Sequence, residues 1–159
     1  MNETFKEKAP EVVKWLMRDF GFTEAQACGV VGNIGRESGG FVYSREIGQP
    51  PGRGGYGWCQ WTGPRARIFL NWCQAHHLDW HSDEGNYGYL RHELQTSYAY
   101  VVSHVKEAPG LAGATEAFEH YYERAGVPAM ADRIAWAQAA ADAYRAAQVD
   151  PSPSLVKKL

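Results

Sequence analysis

The sequence lacks any apolar run approaching the roughly 20 residues that a membrane-spanning helix needs. Its first residues, Met1 to Lys14, contain no apolar stretch of the secretory-signal kind. Stable membrane insertion is therefore not expected, and synthesis in the cytoplasm is. Net charge is also small: 16 basic against 18 acidic residues leave −2 with histidine neutral. A dedicated nucleic-acid binder would carry a basic stripe, so no nucleic-acid partner is expected. Cysteine is sparse and odd in number, at Cys28, Cys59 and Cys73, which is no disulfide framework. No cysteine–histidine spacing suits zinc. His76 and His77 are adjacent, so their rings diverge on a helix and make a poor metal pair. Neither a metal nor another cofactor is expected.

What the chain does have is enough apolar content, 45% over 159 residues, to bury one core of ordinary size. Six Trp, nine Tyr and six Phe are abundant for that length. Part of them must build the core. The rest suit a groove whose flat aromatic walls stack on sugar rings.

Helical periodicity dominates. Pro10 reads as the first residue of a helix, followed at helical spacing by Val13, Leu16, Met17 and Phe20, with Gly21 as the stop. Thr23 and Gln26 read as a capping box opening a second helix that ends near Ser38, at Gly39–Gly40. Its three interior glycines, Gly29, Gly32 and Gly35, each cost about 1 kcal/mol relative to alanine, so close approach of another backbone is expected there. The stretch 39–63 is rich in Gly and Pro and reads as a loop with a short strand or hairpin. Gly63–Pro64 opens a third helix with Ile68, Phe69, Trp72 and Cys73 on one face. A polar loop over 81–86 precedes a fourth helix carrying Tyr87, Leu90, Leu94 and Tyr98. After the break at Pro109–Gly110, Thr115 is expected to cap a fifth helix through Phe118, Tyr121 and Tyr122, ending at Gly126. A last, alanine-rich helix follows Pro128 through Met130, Ile134, Ala137, Ala141 and Tyr144. One domain over 1–148 and a flexible tail over 149–159 are expected.

Glu37 is the first residue to suggest chemistry. It lies near a helix C-terminus, where unpaired carbonyls and the negative end of the dipole gather. That setting disfavours an anion, and aromatic neighbours would desolvate it further. A general acid for glycosidic cleavage needs such a place. Taken alone, a glutamate near a helix end is more often a solvated surface residue.

Its surroundings add specificity. The segment Gly29-Val30-Val31-Gly32-Asn33-Ile34-Gly35-Arg36-Glu37-Ser38 is followed by Gly54-Gly55-Tyr56-Gly57-Trp58-Cys59-Gln60-Trp61-Thr62 and then Arg65. This pair of motifs resembles the phage tail lysozyme family, found in phage tail proteins and some endolysins. More distantly it is similar to goose-type lysozymes and lytic transglycosylases. Those families set a Glu–Ser at a helix end against a downstream Gly-Leu-Met-Gln-like segment lining the groove. Here Tyr56-Gly57-Trp58-Cys59-Gln60 stands in for that segment, with Gln60 as the matching glutamine. Tyr89 to Leu94 resembles the family's fourth-helix segment. Ala114 to Phe118 and Tyr122 to Gly126 resemble its closing segment. The likeness spans Ala25 to Trp136. Trp58 and Cys59 depart from the pattern, replacing smaller or aliphatic residues. Tyr122-Glu123-Arg124-Ala125-Gly126 is also one residue longer than the transglycosylase Tyr-Asn-Ala-Gly.

The resemblance implies a mainly α (α+β lysozyme-like) fold of about six helices around a glycan-binding groove, with a short irregular or β-hairpin segment. It implies bacterial peptidoglycan as the partner and cleavage of the β-1,4 bond between N-acetylmuramic acid and N-acetylglucosamine, with Glu37 as general acid. Water would complete a muramidase reaction; the muramoyl 6-hydroxyl would complete that of a lytic transglycosylase. Hydrolysis is the expectation, because the likeness is closest to phage lysozymes. Ser38, Tyr56, Gln60, Trp61 and Tyr122 are the expected substrate-binding residues, with Gly54, Gly55 and Gly57 letting the backbone approach the sugar. Asn33 either faces the site with Glu37 or pins nearby backbone. One of Arg65 and Arg67 is expected to pair with a groove carboxylate. Glycosidases usually use two carboxyl groups. Glu46, Asp83, Glu84, Glu93 and Glu123 are the candidates for the second, and Glu46 is preferred for its place between the two motifs. The expected setting is a monomer acting on the cell wall from the periplasm once the inner membrane is breached. A module on the same fold that binds glycan without turnover is the alternative.

Overall fold

Helix α2, Glu24–Ser38, is small or apolar on nearly every side, with Ala27, Val30, Val31 and Ile34 fully buried. Such a helix has no face for water and must be surrounded. In the computed structural model, which describes residues 1–149, it is the central element, packed on α1 (Glu3–Phe20), α6 (Gly110–Phe118) and α7 (Met130–Val149). The tail expected over 149–159 lies outside the described residues, except for Val149 at the end of α7. Between α2 and α6 run α3 (Gly63–Ala75), α4 (Asp83–Gln95) and α5 (Ala99–Glu107); a single π-helical turn, Glu119–Glu123, continues α6. The fold is mainly helical, as expected. No helix among the described residues is long and apolar enough to cross a membrane.

The capping box at Thr23 and Gln26 forms as read, and Gly39 ends α2 in the left-handed conformation. Other boundaries differ from expectation. Helix α1 begins at Glu3, because the Asn2 side chain accepts the Phe5 amide at 2.8 Å and Phe5 and Ala9 extend the buried stripe upstream. Pro10 therefore sits inside the helix, where burial outweighs one lost hydrogen bond. Thr115 does not cap a helix: it is buried in mid-α6, and its hydroxyl donates to the Leu111 carbonyl at 2.7 Å. The run expected to end at Gly126 instead ends at Arg124, whose φ of 49° stops the π-helical turn. Helix α4 starts at Asp83 under a Ser82 cap, so the polar residues read as loop form its first turn. Tyr98 lies beyond its end, and Ile68 of α3 is exposed.

Gly29 and Gly32 of α2 have the close backbone neighbours expected of them, whereas Gly35 faces the Trp136 ring. A Cβ at Gly32 would stand 2.6 Å from both the Ala137 Cβ and the Arg133 carbonyl oxygen of α7, and one at Gly29 would stand 2.8 Å from the Thr115 nitrogen of α6. Helix propensity alone would favour Gly32→Ala by about 1 kcal/mol. Forcing α2 and α7 apart outweighs this, and we expect a net loss of about 2 kcal/mol in urea unfolding. An unchanged midpoint would show that the helices have room to spare.

The hairpin expected before α3 reduces to two isolated bridges, Arg45 with Tyr56 and Tyr56 with Trp61. What fixes this segment is its anchoring. The Trp58 amide donates to Asn86 Oδ1 of α4 at 2.8 Å, while Trp58, Cys59 and Trp61 are buried. Gly57 has φ 78°, and a Cβ there would meet Asn86, Trp61 and Phe69. Its glycine serves a tight turn against the core, not an approach to sugar.

Candidate active site

The C-terminal end of α2, the anchored loop, the π-helical turn and the start of α7 meet around a polar hollow of about 320 Å³. Glu37, Glu46, Gln60 and Arg36 line it, and the same four residues line an adjoining hollow of about 370 Å³ that adds Tyr43, Arg45 and Ile47. The two adjoin through these four shared residues, Glu37 among them, and together form one groove. A larger hollow, about 790 Å³, lies elsewhere, between α1 and the alanines of α7, and carries none of these groups.

Glu37 is held from below. Its side chain is 18% exposed, and Oε1 accepts a hydrogen bond from Arg133 Nη2 at 2.6 Å. Arg133 is itself buried. Its Nη1 donates to Asn33 Oδ1 at 3.1 Å and its Nε to the Pro128 carbonyl at 2.6 Å. Asn33 in turn donates to the Gly29 and Thr115 carbonyls at 2.9 and 3.1 Å. Asn33 therefore pins backbone and also orients the arginine behind Glu37. The chain of bonds ties α2, α6 and α7 together under the carboxyl group. Ser38 is buried beside it: its hydroxyl donates to the Ile34 carbonyl at 2.7 Å and accepts the Phe41 amide at 2.8 Å. It stitches the helix end and does not line the groove.

Tyr56, Trp61 and Tyr122, expected to bind substrate, are not among the residues lining the two hollows. Trp61 is 1% exposed and donates from Nε1 to the Tyr122 hydroxyl at 2.9 Å. Tyr122, fully buried, donates on to Glu93, which also accepts from the Tyr89 hydroxyl and from Arg65 Nη2, both at 2.8 Å. Burial first, with nearby acidic groups including Glu93, pushes the Tyr122 hydroxyl well up, so it remains a donor. Arg65 thus pairs with a carboxylate as expected, but a buried one that braces the groove wall, while Arg67 is exposed. Tyr56 lies under the Arg45 guanidinium, 3.8 Å from its ring centre, and its hydroxyl accepts the Gly52 amide. It shapes the loop. Tyr43, 49% exposed, is the aromatic residue that borders the groove.

Gln60 does line the groove. Its φ of 52° is unusual for a residue with a side chain and costs of order 1–2 kcal/mol. The Gln60 amide donates to the Gly57 carbonyl at 2.9 Å, so the strained residue is locked where it faces Glu37's hollow. Of the carboxyl candidates, Asp83 is paired with Lys8 and Glu93 with Arg65. Glu46 is exposed on the groove lip. Glu123 lines the hollow, with Oε1 buried and without a partner. The thiols are poor nucleophile candidates: burial pushes Cys28 up to about 12 and Cys73 to about 11, and pushes Cys59 well up.

Arg133 had no motif to mark it. Its one signal is position, on the same face of α7 as the buried Ala137, Ala140 and Ala141. A cation on a buried face needs an acceptor.

With this geometry in view, comparison with protein families gives a match to the phage tail lysozyme model over residues 7–144. The chain belongs to the phage tail lysozyme family. A comparison with curated proteins finds no match. Family membership makes it a lysozyme-like protein acting on peptidoglycan, and the match takes in α2, the groove loop, the π-helical turn and α7 as far as Tyr144.

Proposed function

We propose that the protein is a muramidase that hydrolyses the β-1,4 bond between N-acetylmuramic acid and N-acetylglucosamine, with Glu37 as general acid. One observation carries this reading: Glu37 is half-buried where it lines both hollows of the groove, fixed by a buried arginine that is itself fixed by α2 and α7. Glu37 gives its proton to the glycosidic oxygen as the bond from that oxygen to the anomeric carbon breaks. The charge left on Glu37 is already partnered by Arg133, a guanidinium that does not lose its proton. Water adds to the anomeric carbon and returns a proton to the site. Gln60 is the group we assign to a substrate amide or hydroxyl. Tyr43 supplies a flat face for a sugar in the adjoining hollow.

Glu46 is assigned to the groove lip, where its charge would favour the developing sugar cation. Because it is solvated, its contribution is small. We expect Glu46→Gln to slow turnover by no more than about tenfold, as measured by release of reducing ends. A loss as large as that of a Glu37 variant would make Glu46 an equal partner.

Digestion of purified peptidoglycan in ¹⁸O-labelled water tests the reaction type. Hydrolysis puts the label on new muramic-acid reducing ends. Unlabelled anhydromuramoyl ends would replace the muramidase reading with a lytic transglycosylase.

A further inference from the structure

A third carboxyl group lies in the hollow that Glu37 and Glu46 line, and it has no part in the cleavage step. Glu123 closes the π-helical turn, and its Oε1 is shut off from solvent with no hydrogen-bond partner. The cations near it are already committed. Arg133 serves Glu37, Asn33 and the Pro128 carbonyl. Arg65 serves Glu93 and the Tyr122 carbonyl. Arg124, next in sequence, turns to the Tyr100 hydroxyl and the Tyr121 carbonyl. A carboxylate buried without a cation is strongly disfavoured, whereas a protonated carboxyl in the same place is not.

We propose that Glu123 is the proton store of the groove, a positioning residue that keeps one proton between itself and Glu37 and supplies it to Glu37 before each cleavage. This rests on the reading of Glu37 as the acid. It also accounts for how a carboxyl group bonded to an arginine comes to hold a proton. The proton passes from Glu123 to Glu37 and from Glu37 to the glycosidic oxygen, which takes the electron pair of the breaking bond. The water that adds to the anomeric carbon releases one proton, which returns to the pair. One water is consumed, and the two carboxyl groups end with the single proton they began with.

Other groups facing Glu123 do not stand in for it. Burial first, then Glu37, pushes its carboxyl well above the usual range. The Cys59 thiol beside it is pushed well up by burial and by Glu123 itself. Arg36 on α2, Arg65 on α3 and Arg133 on α7 stay charged throughout the working range. Glu46 is solvated on the lip. Glu93 is held by Arg65 and two tyrosines, and Glu119 accepts the Ala125 amide at 3.0 Å.

Glutamine at 123 keeps the shape and removes the transferable proton. Glu123→Gln should lower kcat on peptidoglycan about 10²-fold with KM within about threefold, and move the alkaline limb of the pH–rate profile to lower pH by about one unit. Glu123→Asp should restore part of kcat and of the limb. The wild type also gives a direct readout that needs no variant to fold. In ¹³C-carboxyl NMR one glutamate should titrate well above the usual range, and its titration should change in Glu37→Gln. The sign for stability follows. A carboxyl raised in the folded state stabilises fully below its unfolded value, and that contribution is lost as pH rises through the folded value. The wild type should therefore lose melting temperature relative to Glu123→Gln on going from acid to neutral pH. Wild-type kcat and an unmoved profile in Glu123→Gln, or no high-titrating carboxyl in the wild type, overturns the proposal. A dead Glu37→Gln beside an unaffected Glu123→Gln overturns this proposal alone; an active Glu37→Gln removes the reading it rests on.

Discussion

Glu37→Gln should lower the rate of peptidoglycan cleavage by at least about 10³-fold while leaving binding to the sacculus within about threefold. Glutamine keeps the length and the Oε1 acceptor, so the Arg133 bond survives in neutral form. What disappears is the proton the departing oxygen needs. A bond to a charged partner becomes a bond to a neutral one, and unfolding free energy should fall by only about 1 kcal/mol. The signature is therefore a large loss of kcat with little change in KM or melting temperature, which is the pattern of an interaction made in the transition state. Glu37→Asp should also be poor, because a carboxyl drawn back by one methylene cannot meet Arg133 and the sugar together. Binding lost in parallel with rate would show that Glu37 holds the substrate and does not protonate it.

The second large effect is expected at Arg133, whose side chain is 1% exposed. Arg133→Met fills a similar volume but leaves three acceptors, Glu37 Oε1, Asn33 Oδ1 and the Pro128 carbonyl, without their donor. Breaking a buried pair from the cationic side costs about 3 kcal/mol, which for a chain of this size lowers the melting temperature by about 9 °C. The half-exposed Glu37 can recruit water, but the buried Asn33 cannot, so most of the cost falls on the α2–α7 seam. Turnover should drop by about 10²-fold as well, because Glu37 loses the contact that orients it. Arg133→Lys is informative beside it: an ammonium cannot present the forked donors that reach three acceptors at once, so it should recover little. Wild-type melting and rate in Arg133→Met would mean that α2 alone positions Glu37.

The parts of the site that sequence pattern could reveal are those built by short-range chemistry. The α2 helix was legible end to end, because Thr23–Gln26 caps it, Gly39 stops it, and glycines at 29, 32 and 35 demand close neighbours. Glu37 and Gln60 followed from two motifs on one side of the fold, and both line the groove. Arg133 is 96 residues from Glu37, and nothing local distinguishes its role from that of a solvated arginine until α7 is seen to bury that face. The aromatic assignments went astray for a related reason. Trp61 and Tyr122 carry polar tips that read as surface chemistry, yet those tips are satisfied inside, through Glu93 and Arg65. Thr115 suits a cap in the sequence because its hydroxyl can close a helix start. It bonds backward to Leu111 instead, because α6 begins earlier, right after Pro109. Glu123 is one carboxyl among several in the sequence, and only the burial of its Oε1 without a hydrogen-bond partner sets it apart.

The measurement that bears most directly on the central claim is a parallel digestion of purified sacculi by the wild type and by Glu37→Gln, with the soluble products read by mass spectrometry. The account predicts disaccharide-containing muropeptides with new muramic-acid ends from the wild type, and none above background from the variant. Equal products from both proteins, or cleavage confined to the stem peptides, would contradict it.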